Sequence, residues 1–501
     1  MSEFHVPFLL DTDTYKATHH AQYREDLEEM TAYFTFRGPL DRDDHRIVIF
    51  GLRYAFERIL SHRVTQADID EADAYLNQHG VMKSRIDWPK DLWQDIVDSG
   101  GSLPFKVAAL PDGSVVYPGI PVFTISAASK YARLATWLET SLMRIWSPCT
   151  TATKSRHVWK LIRSAFDRSV DEANDFLLPS RFHDFGSRGV SSSETAMVTG
   201  AAHLLSFEGT DTMTAGWLAT KWNNGKGVGE SVIASEHSVM TTHEDELHAV
   251  RHLIKMTPRG QILSCVSDSY DYENFCWNIL PQVADEAREK GIFFVLRPDS
   301  GDPVEAVITG LRALDRAFGS DRNSKGYRVI RGAGVIQGDG LDVRAVGVIL
   351  EAVIRNGYSA QCVAFGMGGG LLQSQTRDTM KAAIKVCQIR VGGKNIPIMK
   401  APKTDGSKNS LPGNMQVNIV DNAPMIYSRT SNPGWEDRRI ENDMLQVIWD
   451  SGPTSWVPET FEQMRARLNR EWSIRPLKTE ILSNQMKALI KKTMGEIRSR
   501  I

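Results

Sequence analysis

Four short apolar runs, at 262–266, 292–296, 334–336 and 362–365, each stop at a polar or glycine-rich turn, and a stretch of helical character follows each one. Strand, loop and helix recurring every ~30–40 residues is the pattern of βα units, because parallel neighbours need a crossover connection. The turns read Ser267-Asp268-Ser269-Tyr270-Asp271, Arg297-Pro298-Asp299-Ser300-Gly301, Gln337-Gly338-Asp339-Gly340 and Gly366-Met367-Gly368-Gly369-Gly370. In parallel sheets ligands collect beyond the carboxyl ends of the strands. Asp268, Asp299, Asp339 and the glycine cluster would therefore face one cavity. This suits an enzyme acting on a phosphorylated, metal-bound small molecule.

A chain of 501 residues exceeds the usual single core, so two regions interleaved in sequence are expected. Strand candidates at 31–36, 106–109, 115–117 and 122–125, joined by short polar connections, indicate a largely antiparallel sheet in the first 149 residues. Residues 391–501 pack back on it, which leaves 150–390 for the βα units. Helices are expected after Thr65, with Asp68 at its third position and a stop at Gly80, and over 153–168, 191–205 and 245–256. Ser191 and Glu194 read as a capping box. Leu247, Val250, Leu253 and Ile254 make one apolar face.

A formal net charge of -2 gives no basic field and argues against a nucleic-acid partner. Five scattered cysteines without CxxC spacing disfavour disulfides and zinc, and suit a reducing cytoplasm. No apolar run approaches the roughly 20 residues of a membrane span.

Each candidate residue has a plainer reading beside the chemical one. Asp268, Asp299 and Asp339 suit ribose hydroxyls or Mg²⁺, but Asp is also a favoured helix cap. The 366–370 turn brings backbone amides toward an anion at a helix start, with Arg377 following, yet a glycine cluster is more often only a turn. Phe185 and Arg188, on the glycine-flanked turn after His183, suit a planar ring and an anion, or simply a packed loop. His237, after a strand at 231–233, is a general acid/base, a nucleophile toward phosphate or a structural histidine.

Taken together the motifs are recognisable. Asp13-Thr14-Tyr15-Lys16, His183-Asp184-Phe185-Gly186, Gly209-Thr210-Asp211-Thr212, Glu236-His237-Ser238 and the four turns with their strands resemble the nicotinamide phosphoribosyltransferases along nearly the whole chain. Within that resemblance, Ser187 stands where an aromatic is common, Met367 where a serine is frequent, and the loop at 400–413 is short. The resemblance implies an irregular, distorted TIM-like α/β barrel plus an α+β region, in a homodimer with shared active sites. It implies transfer of phosphoribosyl from phosphoribosyl pyrophosphate to nicotinamide, with Mg²⁺. Phe185 and the partner subunit's Tyr15 would sandwich the pyridine, Asp211 and Arg297 would meet its carboxamide, and Ser264 would line the same pocket. Asp299, Gly338 and Asp339 would meet ribose, and Gly368, Gly369 and Arg377 its 5-phosphate. Arg188, Arg37, Lys385, Lys400 and Lys408 would surround pyrophosphate or ATP phosphates, with Asp268 a metal or ribose residue. His237 would be phosphorylated by ATP, oriented by Glu236. The nearest alternative is a nicotinate phosphoribosyltransferase. The others are a non-catalytic binding protein on the same scaffold and an unrelated Mg²⁺-dependent barrel lyase, which would explain the carboxylates but not the glycine cluster at 368–370 with Arg377.

Overall fold

The computed structural model describes residues 5–79, 87–429 and 442–500. They divide into two compact units, one of Thr151–Thr376 with Thr460–Glu462, the other of Met1–Thr150, Arg377–Glu459 and Gln463–Ile501.

The Thr151–Thr376 unit is built on seven parallel strands among the described residues. They are β1 (Phe182–Asp184), β2 (Gly209–Thr210), β3 (Ile233–Ala234), β4 (Ile262–Val266), β5 (Phe293–Arg297), β6 (Ala333–Gln337) and β7 (Val363–Met367). The hydrogen-bonded order is β2-β1-β7-β6-β5-β4-β3. A parallel bridge from Gly209 of β2 to Glu230, just ahead of β3, links the two ends, so the sheet curls into an irregular barrel. Both β6 and β7 are buried along their full length, as strands covered on both faces must be. Helices Pro303–Phe318 and Val343–Arg355 bury Val307, Leu311, Leu314 and Phe318, and Val346, Ile349 and Val353. That spacing lays one apolar stripe of each helix on the sheet.

The other unit holds a six-stranded antiparallel sheet, ordered Lys394–Pro397, Ala382–Val391, Glu29–Phe36, Pro121–Ala128, Phe105–Ala109, Gln446–Asp450. Segments from both ends of the chain thus interleave in one sheet, over a core in which Phe34 and Phe123 stack at 5.3 Å. The helix Gln66–Leu76 carries the capping box of Thr65 with Asp68; the stop at Gly80 lies outside the described residues.

Three sequence expectations need correction. The return to the antiparallel unit begins at Arg377 and not at 391. Ala382–Val391 pairs antiparallel with Glu29–Phe36, with one register shift between Thr31 and Ala32. The helix after Phe185 is Ser193–His203, capped by Ser192 accepting from the Thr195 amide. Gln373 Oε1 draws the Ser191 amide at 3.4 Å, which leaves the capping position to Ser192. The helix expected over 153–168 runs Trp146–Ser169, since a proline such as Pro148 is tolerated in a first turn.

Candidate active site

Three barrel loops carry paired aspartates three residues apart, and the pair divides two tasks. Asp271, Asp302 and Asp342 are the helix caps, accepting from amides of Asn274, Val304 with Glu305, and Ala345. Asp268, Asp299 and Asp339, three residues earlier, are left uncommitted to the helices. Strand register then places the first two side by side, because Val266 pairs with Arg297 and each aspartate lies two residues further on. The same register continued to β6 sets Gly338 opposite Asp299, and a Cβ on Gly338 would stand 4.0 Å from Asp299 Oδ1. Asp339 falls one residue beyond and is exposed.

Around Asp299 the contacts are close. His237 Nε2 lies 3.5 Å from Asp299 Oδ2, and its Nδ1 meets Ser269 Oγ at 3.1 Å. Arg297 Nη2 donates to Asp299 Oδ1 at 3.2 Å. Asp268 Oδ2 accepts from the Asp299 amide at 2.9 Å and from Ser300 Oγ at 2.5 Å. Among the described residues, Asp268 Oδ1, Arg297 Nε and Gln337 Oε1 are buried without a protein partner. Buried polar atoms are rarely left so unless a ligand or water completes them. Among the described residues no group of three or more His, Cys, Asp and Glu is placed to hold a metal. A cation here would take Asp268 Oδ1 and draw its remaining ligands from elsewhere, as Mg²⁺ does with substrate phosphates and water. Glu236 does not orient the imidazole; its carboxylate accepts from Ser238, and Ser269 takes that part.

A flat surface lies beside this cluster. Phe185 hangs from β1, its amide bonded to Met367 O at 3.0 Å. Its ring fills the space that side chains at Gly366 and Gly338 would occupy: added Cβ atoms would lie 2.0 and 3.2 Å away. Arg297 Cζ is 5.6 Å from the ring centroid, within cation–π range. Asp211 follows β2, exposed, and accepts from Ser231 Oγ at 2.5 Å. Beneath it Asp184 is fully buried, and burial pushes its carboxyl up to about 6. Ser264 is buried within β4.

The glycine turn ends in a helix of only four residues, Gly369–Leu372. Gly189 packs against it so closely that a Cβ there would meet the Gly369 amide nitrogen at 2.8 Å. Arg188 is exposed on the adjoining turn Ser187–Gly189. Arg377 is not on that helix, which closes when the amides of Gln373 and Ser374 return to Gly369 O. It belongs to the antiparallel unit, where it joins Arg37, Lys385 and Lys400 in one cationic group. Burial pulls the Lys385 ammonium down, opposed by Glu139 and reinforced by Arg37, Lys400 and Arg377. Lys408 is paired with Asp405 at 3.3 Å. Tyr15 is 54% exposed in the same unit, its ring 4.9 Å from that of His19.

Residue-level reading of the sequence missed Ser231, Ser269, Ser300 and the buried Lys154, which donates to Gly370 O. The serines had a signal, since two of them adjoin the aspartates already singled out. Lys154 had none: a lysine in the middle of a helix is ordinarily a solvated one.

An irregular parallel barrel with acidic strand ends, a glycine turn and a companion antiparallel sheet defines a protein of the phosphoribosyltransferase class. The fold is shared with a nicotinate-nucleotide pyrophosphorylase from Pyrococcus furiosus, at a TM-score of 0.62 and 15% identity over 95% of this chain and 100% of that one. It is shared too with the human nicotinic acid phosphoribosyltransferase, at 0.60 and 18% over 96% and 99%. The model of the nicotinate phosphoribosyltransferase family matches residues 180–431, and that of the nicotinamide phosphoribosyltransferase N-terminal domain matches 7–107. The chain is 39% identical over 467 residues to a nicotinamide phosphoribosyltransferase of Xanthomonas campestris, spanning 91% of this chain and 97% of that protein. To one of Acinetobacter baylyi it is 30% identical over 518 residues, spanning 93% and 98%. It belongs to the nicotinate phosphoribosyltransferase family, and is a pentosyltransferase. Among the described residues no helix is long and apolar enough to cross a membrane.

Proposed function

We propose that this enzyme converts nicotinamide and phosphoribosyl pyrophosphate to nicotinamide mononucleotide and pyrophosphate, a step of NAD biosynthesis. The observation that carries the reading is the convergence of His237, Asp299, Arg297 and Asp268 on one barrel rim beside the Phe185 ring. Breaking the bond from ribose to pyrophosphate leaves positive charge on the sugar and negative charge on the leaving group. Asp299 supplies the anion near the sugar, with Gly338 and Asp339 admitting its hydroxyls. Phe185 stacks on the pyridine and Arg297 donates to its carboxamide oxygen. Asp211 accepts from the carboxamide NH₂, and its charge repels a nicotinate carboxylate. This favours the amide over the acid, the nearest alternative substrate. Gly368 and Gly369 take the 5-phosphate, and Arg377, in the antiparallel unit, carries charge of the same use. Arg188 and the group of Arg37, Lys385, Lys400 and Lys408 carry charge suited to pyrophosphate and ATP. Asp268, with its unpartnered Oδ1, fits Mg²⁺, which when bound neutralises pyrophosphate.

His237 is the acceptor of an ATP γ-phosphoryl group in this reading, with ADP leaving. It is 48% exposed and its ring is oriented by Ser269, so a nucleotide reaches it. The functional unit is a cytoplasmic homodimer in which the partner subunit's Tyr15 covers the base; the exposure of Tyr15 supports this. The test is to incubate the protein with nicotinamide, phosphoribosyl pyrophosphate and Mg²⁺, with and without ATP. Mononucleotide should form, and ATP should accelerate it. His237→Ala should keep basal turnover and lose the acceleration. Absence of product at every ATP level would sink the catalytic reading; an ATP response unchanged in the variant would sink the phosphohistidine.

A further inference from the structure

Lys154, on the helix Trp146–Ser169, is only 8% exposed. Its ammonium donates to Gly370 O at 2.7 Å and Gln375 Oε1 at 2.8 Å, and reaches Ser374 Oγ at 3.5 Å. All three acceptors are uncharged. Burial accordingly draws its pKa down to about 8, as it must for an ammonium without a counter-ion. A buried charge with no ionic partner among the described residues is a standing cost to the fold. A leucine or glutamine would fill the same space without it, so the charge calls for a partner that arrives with a ligand.

The place where that partner arrives is set by what Lys154 holds. Gly370 closes the glycine turn, and the amides of Gln373 and Ser374 return to Gly369 O in the same few residues. Gln375 is itself fixed, its Nε2 donating to Thr151 Oγ1 at 2.8 Å and Leu372 O at 2.9 Å, which keeps its Oε1 on Lys154. We propose that Lys154 is a positioning residue for the phosphate end of the ribosyl donor: it fixes the glycine turn at Gly370 and places a buried positive charge behind it, which the phosphate dianion then neutralises. This rests on the phosphoribosyltransferase reading above and adds to it a cation that never touches substrate. In a medium of low dielectric such a charge acts across a loop with little screening.

Ribose 5-phosphate and nicotinamide are the probes, with binding measured by calorimetry and kinetics with phosphoribosyl pyrophosphate. Lys154→Met should weaken ribose 5-phosphate by roughly tenfold or more and raise the KM for phosphoribosyl pyrophosphate by a similar factor, with kcat nearly unchanged. Nicotinamide binding should not move, and Lys154→Arg should restore most of the loss. Gln375→Glu leaves Lys154 in place but gives it a carboxylate, so it should weaken the sugar phosphate likewise, whereas a lysine that merely anchors the loop would tolerate it. Gln375→Glu also keeps the question open to measurement if Lys154→Met does not fold. Variants that bind ribose 5-phosphate as tightly as wild type overturn the role of Lys154 alone. A wild-type protein that does not bind it at all overturns the phosphoribosyl reading and this proposal with it.

Discussion

In the proposed reaction Asp211 is the carboxylate that chooses between two bases of the same shape. It stands exposed at the end of β2 with Ser231 Oγ donating to one oxygen, and among the described residues no hydrogen bond engages the other. Nicotinate offers a second carboxylate at that point, and like charges in a confined site repel. Asp211→Asn should therefore lower the preference for nicotinamide over nicotinate, read as the ratio of kcat/KM values, by roughly tenfold or more. A ratio that stays put would remove this assignment. At the same scale, the residue types at the strand ends were legible before any coordinates, because aspartate and glycine past an apolar run have few uses. Which aspartate serves the helix and which the cavity was not legible. Asp268 and Asp271 are the same residue on the same loop, and only the start of the following helix separates a cap from a free carboxylate.

Among the elements, the helix Glu246–Met256 carries an acid where it is least comfortable. Glu246 is the first helical residue, 4% exposed, and its Oε1 has no partner among the described residues. Burial pushes its carboxyl up to about 7, and Asp271, Asp268 and Asp245 push the same way. Below the unfolded value of 4.5 both states hold the proton, so the stability tied to the neutral acid is fully present. As pH rises through about 7 the folded chain has to ionise a buried group, and that stability is lost. Glu246→Gln should thus be more stable than wild type above pH 7, by on the order of 2 kcal/mol, with the difference vanishing below pH 4.5. Denaturant melts at pH 4.5 and pH 8 check it; a constant offset across that range would show that the proton is not involved. The apolar faces of this helix and of Val343–Arg355 could be read from spacing alone. The strand Ala382–Val391 could not be placed that way, since pairing partners hundreds of residues away leave no local mark.

For the molecule as a whole, the antiparallel sheet is the part that depends on both ends of the chain. Ala382–Val391 is bonded on one side to Glu29–Phe36 and on the other to Lys394–Pro397, and Gln446–Asp450 closes the far edge against Phe105–Ala109. A chain ending at Thr376 loses all three of the later strands and leaves Glu29–Phe36 and Phe105–Ala109 as open edges. Such a truncation should show rapid hydrogen exchange at the amides of Glu29–Phe36 and should bind hydrophobic dyes. Native-like protection of those amides would mean that the N-terminal segment folds without its late partners. Two interleaved regions follow from chain length and from the change in strand character, but the crossing point at Arg377 is a property of pairing.

The ring of barrel strands is stitched most thinly between β2 and Glu230, by the single bridge at Gly209. Asp211 and Ser231 are the residues that flank this seam, so in the proposed reaction the choice of pyridine would fall on the stretch with the least backbone bonding to lose. On that reading selectivity should be open to local redesign, by exchanging side chains across the seam, while β4 to β7 keep the strand-end carboxylates and the glycine turn where they are.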